Sequence, residues 1–132
     1  MYLRFTTQFI NLDGEQEVGI FMALRHLRED YTFTQDEDVN KLKLITGWFS
    51  KRLEKPTRFS NASNKNPANI SLSWFKDSAK EHIQKIHELI EIFERYDIVV
   101  ERVVSKSPGY IVYEDEYQIS AIPFKADRNK VI

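Results

Sequence analysis

The chain has 132 residues, 42% of them hydrophobic and 13% aromatic, with 19 basic and 20 acidic residues for a net charge of -1. That length suits one globular domain with its own core, and the charge balance excludes the bulk positive field that carries a protein onto nucleic acid or anionic lipid. With no cysteine, disulfides, thiolate catalysis and thiolate metal sites are excluded together.

Residues 2–10 alternate, with Leu3, Phe5, Thr7 and Phe9 on one side and Tyr2, Arg4, Thr6 and Gln8 on the other, which predicts a half-buried first strand. No apolar h-region follows Met1, so a signal peptide is not expected, and no apolar run is long enough for a membrane span. After the turn residues Asn11 to Gly14, Val18, Phe21, Met22, Leu24 and Leu27 fall near helical spacing, predicting a first helix from about Glu17 to Arg28. Thr34 and Glu37 make a capping box ahead of a second helix over about 35–54, with Val39, Leu42, Ile45, either Trp48 or Phe49, and Leu53 on its inner face.

Residues 55–70 hold two prolines and four asparagines and read as a long loop. The third helix is expected from about Leu72 or Lys76 to Tyr96, with Ala79, Ile83, Ile86, Ile90 and Phe93 inward and Glu81/Lys85 and Glu91/Arg95 paired outside. Three strands follow as a meander over 98–104, 110–113 and 117–124, and residues 125–132 read as a loose tail. The expected architecture is a single α+β domain over 1–124, of order βαααβββ, with an antiparallel sheet joined by the first strand and helices packed on one face.

Candidate chemistry is sparse. The turn Glu114-Asp115-Glu116, flanked by Tyr110, Tyr113 and Tyr117, concentrates carboxylates and aromatics. It reads as a partner-binding tip, as an acid/base or cation site, or as a solvated turn that guards a sheet edge. Asp36, Asp38 and Asn40 match the start of a calcium loop, but Lys41 and Gly47 stand where glycine and glutamate are needed, so these acids are assigned to the positive end of the second helix. His82 and His87 lie about 140° apart on a helix and cannot share a metal. No metal or cofactor is expected, since no Walker loop, dinucleotide fingerprint or nucleophile elbow occurs.

Trp74 and Lys76, read as the start of the third helix, form either an anion-receiving helix end or a hydrophobic staple. Lys51, Arg52, Lys55, Arg58 and Lys65 face only Glu54 between 51 and 66, so a basic loop holding Phe59 offers weak nucleic-acid contact or a solvated surface. Residues 29–38 carry five acids and no base, so the near-zero net charge is a cancellation between polarised stretches. Two glycosylation-like triplets, at Asn61 and Asn69, read as chance matches.

The stretches Trp74-Phe75-Lys76-Asp77-Ser78-Ala79 and Pro108-Gly109-Tyr110-Ile111-Val112-Tyr113-Glu114-Asp115-Glu116-Tyr117-Gln118, followed by Ala121-Ile122-Pro123, resemble a family of small bacterial proteins of similar length. The resemblance covers most of the chain and implies a bacterial, cytoplasmic protein, but brings no activity, cofactor or catalytic residue. Two readings of function follow. One is a bacterial or phage protein-binding module of the immunity, regulatory or defence-inhibitor type, with no catalysis. The other is a small enzyme or ligand-binding domain whose pocket lies between the third helix and the sheet, built from Trp74, Lys76, His82 and Tyr113 or Glu114. Convergence of those side chains on one pocket decides between them.

Overall fold

A computed structural model describes residues 1–10, 16–29, 33–55 and 71–124. Its elements are β1 (Tyr2–Ile10), β2 (Gln16–Gly19), α1 (Ile20–Glu29), α2 (Asp36–Arg52), β3 (Leu72–Lys76), α3 (Lys80–Glu94), β4 (Val100–Ser105), β5 (Tyr110–Glu114) and β6 (Gln118–Ile122). The chain is an α+β protein, with three helices and an antiparallel sheet among the described residues. It divides into two compact units, one comprising 1–4, 55–83 and 103–132, the other 5–54 and 84–102.

The first unit is mainly sheet. The start of β1 pairs with β3 (Tyr2 with Lys76, Leu3 with Phe75), β3 with β6 (Trp74 with Ile119, Phe75 with Gln118), and β6 with β5 (Ile111 with Ala121, Glu114 with Ile119), all antiparallel. β3 is the main correction: a third helix is expected to begin at about Leu72 or Lys76, but 72–76 form a strand and the helix begins at Lys80. The pattern Ser71-Leu72-Ser73-Trp74 has period two, and it buries Trp74 with Ile119 and Ala121 on one face, packed by Tyr2, Leu72 and Val103. Insertion of β3 also breaks the expected meander: β3 takes the edge of β6 opposite β5, and β4 pairs with β1. Gly109, at φ +149°, opens β5 so close to β6 that a Cβ there would sit 2.0 Å from the Ile122 carbonyl oxygen, so no other residue fits the turn.

In the second unit β1 continues by pairing with β2, Thr6 opposite Gly19. β2 occupies part of the expected first helix, which therefore begins at Ile20 and buries Ile20, Ala23, Leu24 and Leu27 while leaving Phe21 and Met22 exposed. α2 matches expectation closely, and of the two aromatic candidates Phe49 is buried while Trp48 is half-exposed. The capping box does not form: Gln35 is the N-cap, the Thr34 hydroxyl donates to the Leu27 carbonyl at 2.8 Å, and the Gln35 N–H donates to the Tyr96 hydroxyl at 3.0 Å. A longer-range partner has displaced the local cap.

The buried side of α3 is His82, Ile86, Leu89, Ile92 and Phe93, rotated from the expected stripe so that Ile83 and Ile90 are only half-buried. The helix ends with Asp97 in the left-handed region at φ 58° and the Ile98 N–H donating to the Phe93 carbonyl at 3.1 Å. Ile98 is then buried as the chain leaves the helix.

Candidate functional site

The acidic hairpin that dominates the sequence turns its charge inward. The Asp115 carboxylate accepts hydrogen bonds from the Tyr117 N–H (2.8 Å), the Gln118 N–H (3.0 Å), the Gln118 side-chain amide (3.0 Å) and the Tyr113 hydroxyl (2.9 Å). Burial alone pushes this carboxyl up, but the donors from Gln118, Tyr117 and Tyr113 outweigh it and hold the group below its ordinary range. Glu114 is paired with Lys76 at 2.6 Å. Glu116 lies beside Tyr117, whose phenol is pushed up first by that carboxylate's charge. The tip is therefore a braced turn, and its carboxylates do not converge on a common point.

The side chains of the proposed helix–sheet pocket, Trp74, Lys76, His82 and either Tyr113 or Glu114, do not all lie on one side of the sheet. Trp74, Lys76 and Glu114 share one face of the sheet; Tyr113 pairs with Ser120 on the other, the side that also carries Phe75. His82 is buried and stacks against Tyr117 with ring centroids 4.3 Å apart and, more loosely, against Phe75 at 6.3 Å. Trp74 and His82 thus sit in packing positions, and no single pocket collects the set. The anion-receiving helix end also fails, because Trp74 and Lys76 lie in a strand.

What remains open on this unit is β5. Among the described residues it pairs only with β6, and its first two residues project outward, Tyr110 at 64% and Ile111 at 48% exposed. The Tyr110 ring meets Phe124 edge-on at 4.8 Å, which fixes it in place. Edge strands are ordinarily guarded by charge or bulges; a register shift lies between Ile111 and Tyr113, but no charge appears before Glu114.

Two buried donors on β1 and β3 were not foreseen. The Arg4 guanidinium donates through Nη1 to the Ser73 carbonyl at 3.1 Å, while its Nε–H is buried without an acceptor; burial pushes its pKa down. The Trp74 indole Nε1–H is likewise buried without an acceptor. The only sequence signal was Arg4 sitting at an alternating position of a strand.

In the second unit a groove of about 310 Å³ runs between α2 and α3 over Leu44, Ile45 and Ile92, rimmed by Lys41, Lys85, Arg95, Glu88 and Glu91. Its ion pairs differ from the expected i,i+4 set. Lys85 pairs with Glu88 at 2.9 Å, and Arg95 turns away from Glu91 to the buried Asp38, which also accepts the Tyr96 hydroxyl at 2.6 Å. Asp38 thus braces the start of α2 against the end of α3. Of the basic-loop candidates, Arg52 lies over the Trp48 ring at 4.9 Å, Lys51 and Lys55 are exposed, and Arg58 lies outside the described residues with Phe59 and the glycosylation-like triplets.

Among the described residues no cluster of three or more His, Asp or Glu is placed to hold a metal ion, and no helix is long and apolar enough to cross a membrane. No family model, curated protein or solved structure matches the chain.

Proposed function

We propose that this chain is a small cytoplasmic protein-binding module of bacterial or phage origin, acting as immunity proteins, regulators or defence inhibitors do, and that its partner adds a strand along β5. The observation that carries the reading is the open edge: an uncharged Tyr-Ile-Val-Tyr strand with Tyr110 and Ile111 exposed and, among the described residues, hydrogen-bonded on one side only. Main-chain groups of such an edge supply affinity to any extended segment, and alternate side chains supply the choice of partner. The bracing of Asp115 and the Lys76–Glu114 pair stiffens the hairpin, so little ordering is lost on association. Origin and location rest on the resemblance of residues 74–79 and 108–118 to small bacterial proteins. The placement of His82 beside Phe75, on the sheet face opposite Trp74, Lys76 and Glu114, weighs against the pocketed-enzyme reading.

A photoreactive amino acid at Ile111, expressed in cells carrying the gene in its native surroundings, tests this. One protein should be captured from position 111 and not from the exposed Lys43, and Ile111→Lys should abolish binding of that protein by the purified chain. Capture of nothing, or of the same mixture from both positions, would sink the reading.

A further inference from the structure

On the sheet face opposite Tyr113, β1 and β3 bring two unsatisfied donors together. The β1–β3 register runs Tyr2 with Lys76 and Leu3 with Phe75, so its next step sets Arg4 across from Trp74. Directly opposed residues have Cβ atoms about 4.5–5.5 Å apart, so the two side chains are neighbours on this face. The Arg4 Nη1 contact to the Ser73 carbonyl holds the guanidinium against β3, beside the tryptophan.

Both Arg4 Nε–H and Trp74 Nε1–H are buried without an acceptor, and Trp74 is 1% exposed. Buried donors are nearly always paired, and a half-buried guanidinium with no carboxylate paired to it carries the further cost of an unbalanced charge. Among the described residues no carboxylate is paired with Arg4; Glu114, on this face, is taken by Lys76. Two neighbouring donors, one of them cationic, call for an acceptor with negative charge and more than one lone pair. A neutral carbonyl has the lone pairs without the charge; a halide has both but offers them from a single atom, whereas an oxyanion can present a separate oxygen to each donor.

We propose that Arg4 and Trp74 form a binding site for a small oxyanion, a phosphate or carboxylate group, received by the guanidinium Nε–H and the indole N–H together. The site is separate from the β5 edge and does not depend on it.

The test exploits the tryptophan count of two, Trp48 and Trp74, so a ¹H–¹⁵N spectrum of the intact chain shows two indole cross-peaks, assigned with Trp48→Phe. Titration with inorganic phosphate, and separately with acetate, should move the Trp74 peak saturably and leave Trp48 in place, with sodium chloride at matched ionic strength as control. A shift with phosphate alone identifies a phosphate-bearing ligand, one with acetate alone a carboxylate, and one with both the shared chemistry. Arg4→Gln should weaken binding about tenfold or more, since a charge-assisted bond is lost. Arg4→Lys, which keeps the charge but not the planar fork, should lie between and serves if the glutamine variant does not fold. No shift with either anion, an equal shift with chloride, or unchanged affinity in both Arg4 variants would overturn the proposal.

Discussion

Two polar clusters in the same sheet unit stand in opposite condition. At the β5–β6 turn one carboxylate, Asp115, receives four hydrogen bonds from Tyr113, Tyr117 and Gln118. On β1 and β3, Arg4 and Trp74 bury two donors, Nε–H and Nε1–H, that find no acceptor. The first cluster looks like a functional site in the sequence and is a structural brace; the second leaves almost no trace in the sequence and is the one with unused bonding capacity. Charge density in a sequence measures how many polar groups are near one another, whereas chemistry available to a partner depends on how many stay unsatisfied once the chain has folded.

The largest expected effect removes the apolar anchor shared by the second cluster and the core. Trp74→Ala should cost about 3–5 kcal/mol in denaturant unfolding, because the side chain is fully buried against Ile119 and Ala121. A loss under about 1 kcal/mol would mean that Trp74 is not core, and its orphaned N–H would then need no ligand to explain it.

Next, Asp115→Ala should cost about 1–2 kcal/mol, the lower part of the range for unmade hydrogen bonds because water reaches this half-exposed turn. The same brace should respond to acid. A carboxyl held below its ordinary value of 3.8 stabilises the fold fully above that value, and the contribution disappears as pH falls through the lower native one. The gap in Tm between the wild type and Asp115→Asn should therefore be constant from pH 7 to 5 and shrink below about pH 4. A gap that persists unchanged at pH 2.5 would show that the charge is not what the turn uses.

Smallest of all should be Arg4→Met. Replacing an uncompensated, half-buried guanidinium by an apolar chain of similar length should leave stability unchanged or raise it by up to about 1 kcal/mol, although the Ser73 contact is lost. A loss of 2 kcal/mol or more would make Arg4 a structural brace like Asp115 and remove the contrast.

Several elements were legible because one periodicity decided them. The alternation of Leu3, Phe5 and Thr7 marks β1, and Val39, Leu42, Ile45 and Phe49 mark α2 within a residue or two of its ends. Other segments carried two patterns at once. Leu72 to Lys76 adjoins a strong helical stripe and was absorbed into it, although Ser71, Leu72, Ser73 and Trp74 alternate; Gln16 to Gly19 was lost to α1 in the same way. Ion pairs were misread where a distant group competes: Arg95 has Glu91 one turn away on its own helix, but bonds to Asp38, where burial strengthens the attraction.

From the sequence alone followed the α+β class, the lack of thiol chemistry and the polarised charge beneath a net of -1. These depend on composition and on neighbours a few residues away. Only the tertiary structure decided that Asp115 is consumed, that Tyr110 and Ile111 lie on an open edge, and that the Arg4 Nε–H and Trp74 Nε1–H are buried without acceptors. Each of those depends on strand register, which joins residues some seventy positions apart in the chain and is set by which faces can be buried together.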